Sequence, residues 1–91
     1  MTKTELVEAL SKNTGLTRRE TATVTDSLFD LITDELSKGE TVEIRGFGSF
    51  VTRERGARTA RNPKTGATVQ VPARTVPAFR ASKALKDKVA G

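Results

Sequence analysis

The sequence contains neither cysteine nor histidine. Without cysteine there is no disulfide framework, no thiolate nucleophile and no zinc-thiolate site; without histidine the commonest general base and metal ligand is missing too. Aromatic residues are scarce: the only ones are four phenylalanines. No uninterrupted apolar run is long enough to span a bilayer, and the opening MTKTELVEAL lacks the apolar core of a signal peptide. These gaps remove the usual parts of most enzymes. Hydrolase chemistry would fall to Asp or Ser residues, which show no dyad spacing. The expectation is a soluble cytoplasmic protein that is not an enzyme and carries no metal and no cofactor.

What is present is globular in composition, with 35% hydrophobic and 30% charged residues in a 91-residue chain, enough for one domain. A core of that size is marginal alone, so association with a second subunit would help considerably. Charge is divided unevenly. Residues 1–50 carry six basic and nine acidic side chains, net −3, whereas residues 51–91 carry ten and two, net +8. A basic half calls for an anionic partner, either nucleic acid or a membrane surface. Membrane attachment would need an amphipathic helix with a basic polar face, and the long helix read below instead carries Asp26, Asp30, Asp34 and Glu35. RNA stays open beside DNA, because the electrostatic attraction ignores the sugar.

Thr2-Lys3-Thr4-Glu5 sets a hydroxyl three residues before a carboxylate, the reciprocal pair that satisfies free amides at a helix start. Leu6, Val7 and Leu10 then form an apolar stripe, and Asn13-Thr14-Gly15 stops the helix. Thr17-Arg18-Arg19-Glu20 repeats the start signal, with Val24, Leu28, Leu31, Ile32 and Leu36 at helical spacing until Lys38-Gly39. This second helix should be ~30 Å long. After Gly39 the period changes to two: Val42 and Ile44 alternate with Thr41, Glu43 and Arg45 as in a half-buried strand. Gly46-Phe47-Gly48 makes a tight corner, and a second strand runs on from Ser49. Its apolar side chains fade after Phe50 and Val51 to little but Ala57 and Ala60, so the sheet must leave its core there. Asn62-Pro63-Lys64-Thr65-Gly66 supplies a turn. Val69 and Val71 restore alternation, Val76 and Phe79 approach the core again, and Ser82 caps a short final helix with Ala84, Leu85 and Val89.

The fold expected is α+β: two N-terminal helices, a three-stranded antiparallel sheet with a long protruding β-hairpin arm, and a short C-terminal helix. It forms one domain over 1–91, with residues 1–52 and 72–91 as a dimerisation body and 53–71 as the arm. An isolated two-stranded ribbon is marginal in water, so the arm should be mobile until it lies on something. The plain reading of such a charge run is a solvated loop. Against it, Arg53, Arg55, Arg58, Arg61 and Lys64 accompany a single acid, Glu54, and phosphates would relieve their repulsion. Pro63 is a turn former first. At the tip of an arm it is also a plausible wedge between base steps.

Arg45-Gly46-Phe47-Gly48-Ser49-Phe50-Val51 superficially resembles an RNA-recognition-motif strand, but Ser49 puts Phe47 and Phe50 three apart, on opposite faces of a straight strand. A glycine-flanked corner, with both rings in a core or subunit interface, is the better reading. The same Gly-x-Gly lacks the third glycine and following helix of a dinucleotide site. Lys3, Arg18, Arg19, Lys83 and Lys86 read as ordinary surface charges unless they line the base of the arm.

With these residues in place, the whole chain resembles the HU and integration host factor family of bacterial DNA-bending proteins, and is closest to HU. The resemblance is most specific in GFGSFVTRERGARTARNPKTG, where the Gly-Phe corner, Phe50, Arg55, Arg58, Arg61, Asn62, Pro63, Thr65 and Gly66 fall at the family's spacings, and VPAFRASKALKDKV is similar to the family's usual ending. Ala60 and Ser82 depart from it, standing where relatives often carry glycine. The resemblance implies an intertwined homodimer, or a heterodimer with a paralogue, built around Phe29, Phe47, Phe50 and Phe79. It implies double-stranded DNA as partner, preferentially bent, nicked or junction DNA, and a nucleoid-associated location. Arg53, Arg55, Arg58, Arg61, Asn62, Pro63, Lys64 and Arg74 would form the DNA-binding arm, Pro63 would intercalate, and Lys3, Arg80, Lys83 and Lys86 would meet phosphates along the body. The absence of extra terminal residues favours weak sequence preference over site-specific binding.

Overall fold

Thr2 and Thr17 start two helices by the same device. At the head of α1 (Lys3–Thr14) the Glu5 amide donates to the Thr2 hydroxyl at 3.2 Å while the Thr2 amide donates to the Glu5 carboxylate at 3.2 Å. At the head of α2 (Arg18–Ser37) the Glu20 amide donates to the Thr17 hydroxyl and the Thr17 amide to the Glu20 carboxylate, both at 3.0 Å. Each exchange satisfies two amides that a helix start leaves free. The Thr17 backbone amide, seconded by its hydroxyl, holds the Glu20 carboxyl below its usual value of 4.5. Gly15 ends α1 in the left-handed region at φ 77°, its amide bonded to the Ser11 carbonyl. Both helices form where the sequence predicts them.

The computed structural model describes all residues, 1–91. They divide into two units, Met1–Asp34 and Glu35–Gly91. In the first, Lys3 pairs with Asp26 and Arg18 with Glu8. No helix is long and apolar enough to cross a membrane.

The second unit holds five strands and a helix: β1 (Val42–Ile44), β2 (Gly48–Arg55), β3 (Arg58–Arg61), β4 (Thr68–Val71), β5 (Arg74–Ala81) and α3 (Lys83–Ala90). β1, β2 and β5 make an antiparallel sheet in that order, while β3 and β4 pair separately as a ribbon. This is the expected α+β architecture with a hairpin arm. Pro77 sits on the edge strand β5, where a missing amide is tolerated. Ser82 caps α3, its hydroxyl accepting from the Leu85 amide at 3.1 Å.

The corner between β1 and β2 gathers the aromatic residues. Gly46 takes φ 81° in the turn that the Phe47 amide closes on the Ile44 carbonyl at 2.9 Å. Phe47 therefore leaves the line of the strand. Its ring and that of Phe50 both stack obliquely on Phe79, with centroids 5.3 and 5.0 Å apart, so the opposite-face expectation for a straight strand does not apply. Gly48 lies buried under this cluster. A Cβ there would stand 2.5 Å from both the Phe79 ring and the Arg80 carbonyl oxygen.

Little apolar surface is removed from water overall. Ile32 is the one buried hydrophobic side chain; Val24 and Leu31 are 61% exposed and Phe47 44%.

The body ladder extends into the 53–71 segment read from the sequence as the arm. Body pairing persists through Arg53↔Val76, Glu54↔Thr75 and Arg55↔Arg74, and the ribbon resumes at Arg58↔Val71. Register is the same on both sides. Only Gly56-Ala57 and Pro72-Ala73 drop out of the ladder, because Pro72 has no amide to donate and Gly56 has no side chain to pack.

Candidate nucleic-acid interface

Strand alternation sorts the body sheet into two chemically distinct faces. Val42, Ile44, Phe50, Phe79 and Ala81 share one with Glu54. Arg53, Arg55, Arg74 and Arg80 share the other, where Glu43 is the only acid. Glu54 thus stands on the opposite face from the arginines that flank it in sequence. None of these four arginines forms an ion pair; the salt bridges lie elsewhere.

Beyond the interruption, Arg58, Ala60, Val69 and Val71 alternate with Thr59, Arg61, Thr68 and Gln70, and the Gln70 amide donates to the Thr59 hydroxyl at 3.3 Å. Every residue from Arg61 to Gln70 is exposed. The tip is nonetheless well tied. The Lys64 amide donates to the Asn62 side-chain oxygen at 2.9 Å, the Gly66 amide to the Asn62 carbonyl at 2.7 Å, and the Asn62 amide to the Ala67 carbonyl at 2.8 Å. Gly66 completes the loop at φ 73°. Pro63 is held at the apex with its ring in solvent. Asn62 is therefore a brace for the proline as well as a polar group of the arm.

The body cations differ in availability. Lys3 is engaged by Asp26, and Lys83 by Asp87 one turn along α3 at 2.9 Å. Both pairs are largely exposed, of the kind worth at most about 1 kcal/mol, so an external anion can displace either carboxylate. Lys86 and Arg80 make no ion pair. No group of three or more metal-ligating side chains is gathered anywhere. Of the four phenylalanines, Phe47, Phe50 and Phe79 form the corner cluster, while Phe29 lies on α2 and is 43% exposed.

A family model described as bacterial DNA-binding protein matches residues 1–90. The chain belongs to this family, the HU family. This HU-family chain is similar to DNA-binding protein HU of Geobacillus stearothermophilus, 48% identical over 89 residues that cover 98% of this chain and 99% of that one. It is equally similar to DNA-binding protein HU of Staphylococcus aureus strain COL, at 48% identity with the same coverage. Among solved structures, Anabaena HU in a cocrystal with DNA matches with a TM-score of 0.95 at 42% identity, covering 99% of this chain and 98% of that one. HU from Thermotoga maritima matches with a TM-score of 0.70 at 32% identity, covering 98% of each chain.

Sequence reasoning named the arginines one by one but missed their grouping. Arg53, Arg55 and Arg74 sit on the body sheet, not on the free ribbon. The signals that could have shown this were Gly56 and Pro72, whose defects fall in adjacent pairs of a shared register.

Proposed function

We propose that the protein is a non-catalytic architectural component of the nucleoid that binds double-stranded DNA as a dimer and bends it. The observation that carries this reading is the cationic ribbon, its outer half from Arg61 to Gln70 wholly exposed and ending in a braced proline, on a chain of this family. Arg61 lies in the minor groove, while Arg53, Arg55, Arg58, Arg74, Arg80, Lys83, Lys86 and Lys3 meet phosphates, the last after exchanging Asp26 for the DNA. Affinity comes mainly from cations displacing condensed counterions. Part of it is used to unstack one base step per arm, where Pro63 enters as a rigid wedge with little side-chain entropy to lose. DNA that is already nicked, bent or branched resists less and binds more tightly. Sequence preference is weak, because minor-groove donors and acceptors are degenerate.

Dimerisation follows from the exposed apolar surface. Phe47 and Phe79 are 44% and 40% exposed, and Val24, Leu28 and Leu31 are open along α2, more than a chain of this size leaves in water without a partner. A second copy supplies the second arm, and a twofold pair places two wedges symmetrically on one duplex.

The test is a competition between linear, nicked and four-way-junction DNA across a salt series, with RNA duplex as a further competitor. Tighter binding to nicked and junction DNA at every salt concentration supports deformability as a determinant. Equal affinities for all DNA forms would reduce the protein to a polycation, and preference for RNA would redirect it.

A further inference from the structure

The interruption between body sheet and ribbon gathers charges that a continuous hairpin would separate. Residues three apart in a strand point to opposite faces, so an unbroken β2–β3 would turn Arg58 away from Arg55. Instead Arg55, Arg58 and Arg74 all line one cleft of about 180 Å³, together with Gly56, Val71 and Pro72. Arg55 and Arg74 are direct cross-strand partners, an arrangement in which like charges repel. No carboxylate offsets them, since none of the three arginines forms an ion pair and Glu54 belongs to the other face. The uncompensated charge lies at the one point of the hairpin where backbone pairing is absent.

We infer that this cleft is a clamp for a single phosphate group, and that its occupation fixes the angle of the arm. The inference rests on the proposed DNA binding and adds to it a specific seat at the arm's root. Guanidinium groups present planar forks that bind phosphate oxygens in pairs. One phosphate between Arg55 and Arg74 cancels their repulsion, and Arg58, from beyond the interruption, joins the same anion. Ribbon and body are then bridged across Gly56-Ala57 and Pro72-Ala73 by charge in place of hydrogen bonds. The phosphate has two possible sources, the backbone of a polynucleotide or a free polyphosphate.

The full chain, labelled with 15N, is titrated first with inorganic tripolyphosphate and then with a short DNA duplex. A clamp gives saturable shifts concentrated at Arg55, Gly56, Arg58 and Arg74, lost in the double variant R55Q/R74Q. Response to both probes assigns the seat to phosphate generally, and response to duplex alone assigns it to the polynucleotide. With tripolyphosphate, shifts spread evenly over Arg53, Arg61 and Arg80 overturn the inference, as does the absence of any shift at the cleft with either probe. Salt dependence gives an independent reading: two arginines sharing one phosphate lose about 0.9 from the logarithmic slope of duplex binding in R55Q/R74Q, whereas two independent contacts lose about 1.8. The second value also overturns it. P72V leaves charge unchanged and restores an amide opposite Ala57; it should weaken the tripolyphosphate response several-fold, and an undiminished response would refute the role of the interruption. If the parent chain binds no duplex, the proposed function fails, while the tripolyphosphate titration still judges the clamp.

Discussion

The body sheet and the arm share one hairpin register, yet they are held by different forces. At the corner end, Phe79 packs against Phe47 and Phe50 with Gly48 beneath, and tight aromatic packing makes pairing there cooperative with the rest of the body. At the arm end, ribbon hydrogen bonds and the ties of the tip stand alone in water, which leaves a two-stranded element marginal. A ladder's persistence therefore depends on what its faces touch. Where aromatic rings pack together on one face the hairpin is a scaffold; where its side chains stand in water it can await a ligand.

The sharpest way to break this contrast is to change glycine to alanine at each end. Gly48→Ala forces a Cβ onto the Phe79 ring and a backbone carbonyl and should destabilise the protein by about 3 kcal/mol, at the upper end of overpacking costs. Gly66→Ala meets no neighbour but must hold φ 73°, a local strain of about 1 kcal/mol. Urea melts should therefore show a large fall for the first and almost none for the second. A comparable fall for Gly66→Ala would mean that the arm is cooperative with the body after all.

Function should move the other way. Replacing Arg58 and Arg61 together with alanine should leave the melt unchanged and flatten the salt dependence of DNA binding, by up to two phosphate contacts or about 1.8 in logarithmic slope. An unaltered slope removes the ribbon from the interface. Pro63→Ala is subtler. With every charge retained, affinity should change by about twofold or less while the bend angle measured by FRET decreases, because the wedge is lost. Equal bend angles for variant and parent would show that Pro63 only makes the turn.

The smallest effect lies in neither end of the hairpin but at the head of α2, and it serves as a reference for what one exposed cap contributes. Glu20 has a folded pKa below its unfolded one. Its stabilisation is therefore fully present above the unfolded value and is lost as pH falls through the folded value. Glu20→Gln should melt slightly earlier than the parent at neutral pH, and the two melts should converge in acid. A gap that persists at low pH would place the effect in packing and not in charge.

Both helix starts were legible because a capping box is local: Thr2 with Glu5 and Thr17 with Glu20 need only three residues of separation to find each other. The tip was legible for the same reason, since Asn62, Pro63 and Gly66 carry their backbone preferences wherever they stand. The corner was half legible. Gly46 and Gly48 marked a turn, but whether Phe47 and Phe50 diverge or converge depends on Phe79, some thirty residues onward, approaching Gly48 closely enough to exclude a side chain.

Sequence by itself determined the helices, the strand periods, the turn chemistry and the concentration of positive charge in the second half, all of which act over a few residues or by simple addition. Tertiary structure alone decided which face each arginine occupies, where the body sheet stops, and that Arg55, Arg58 and Arg74 line one cleft. Those outcomes depend on strand pairing between distant segments: Arg55 and Arg58, three residues apart across the two unpaired positions, line the same cleft.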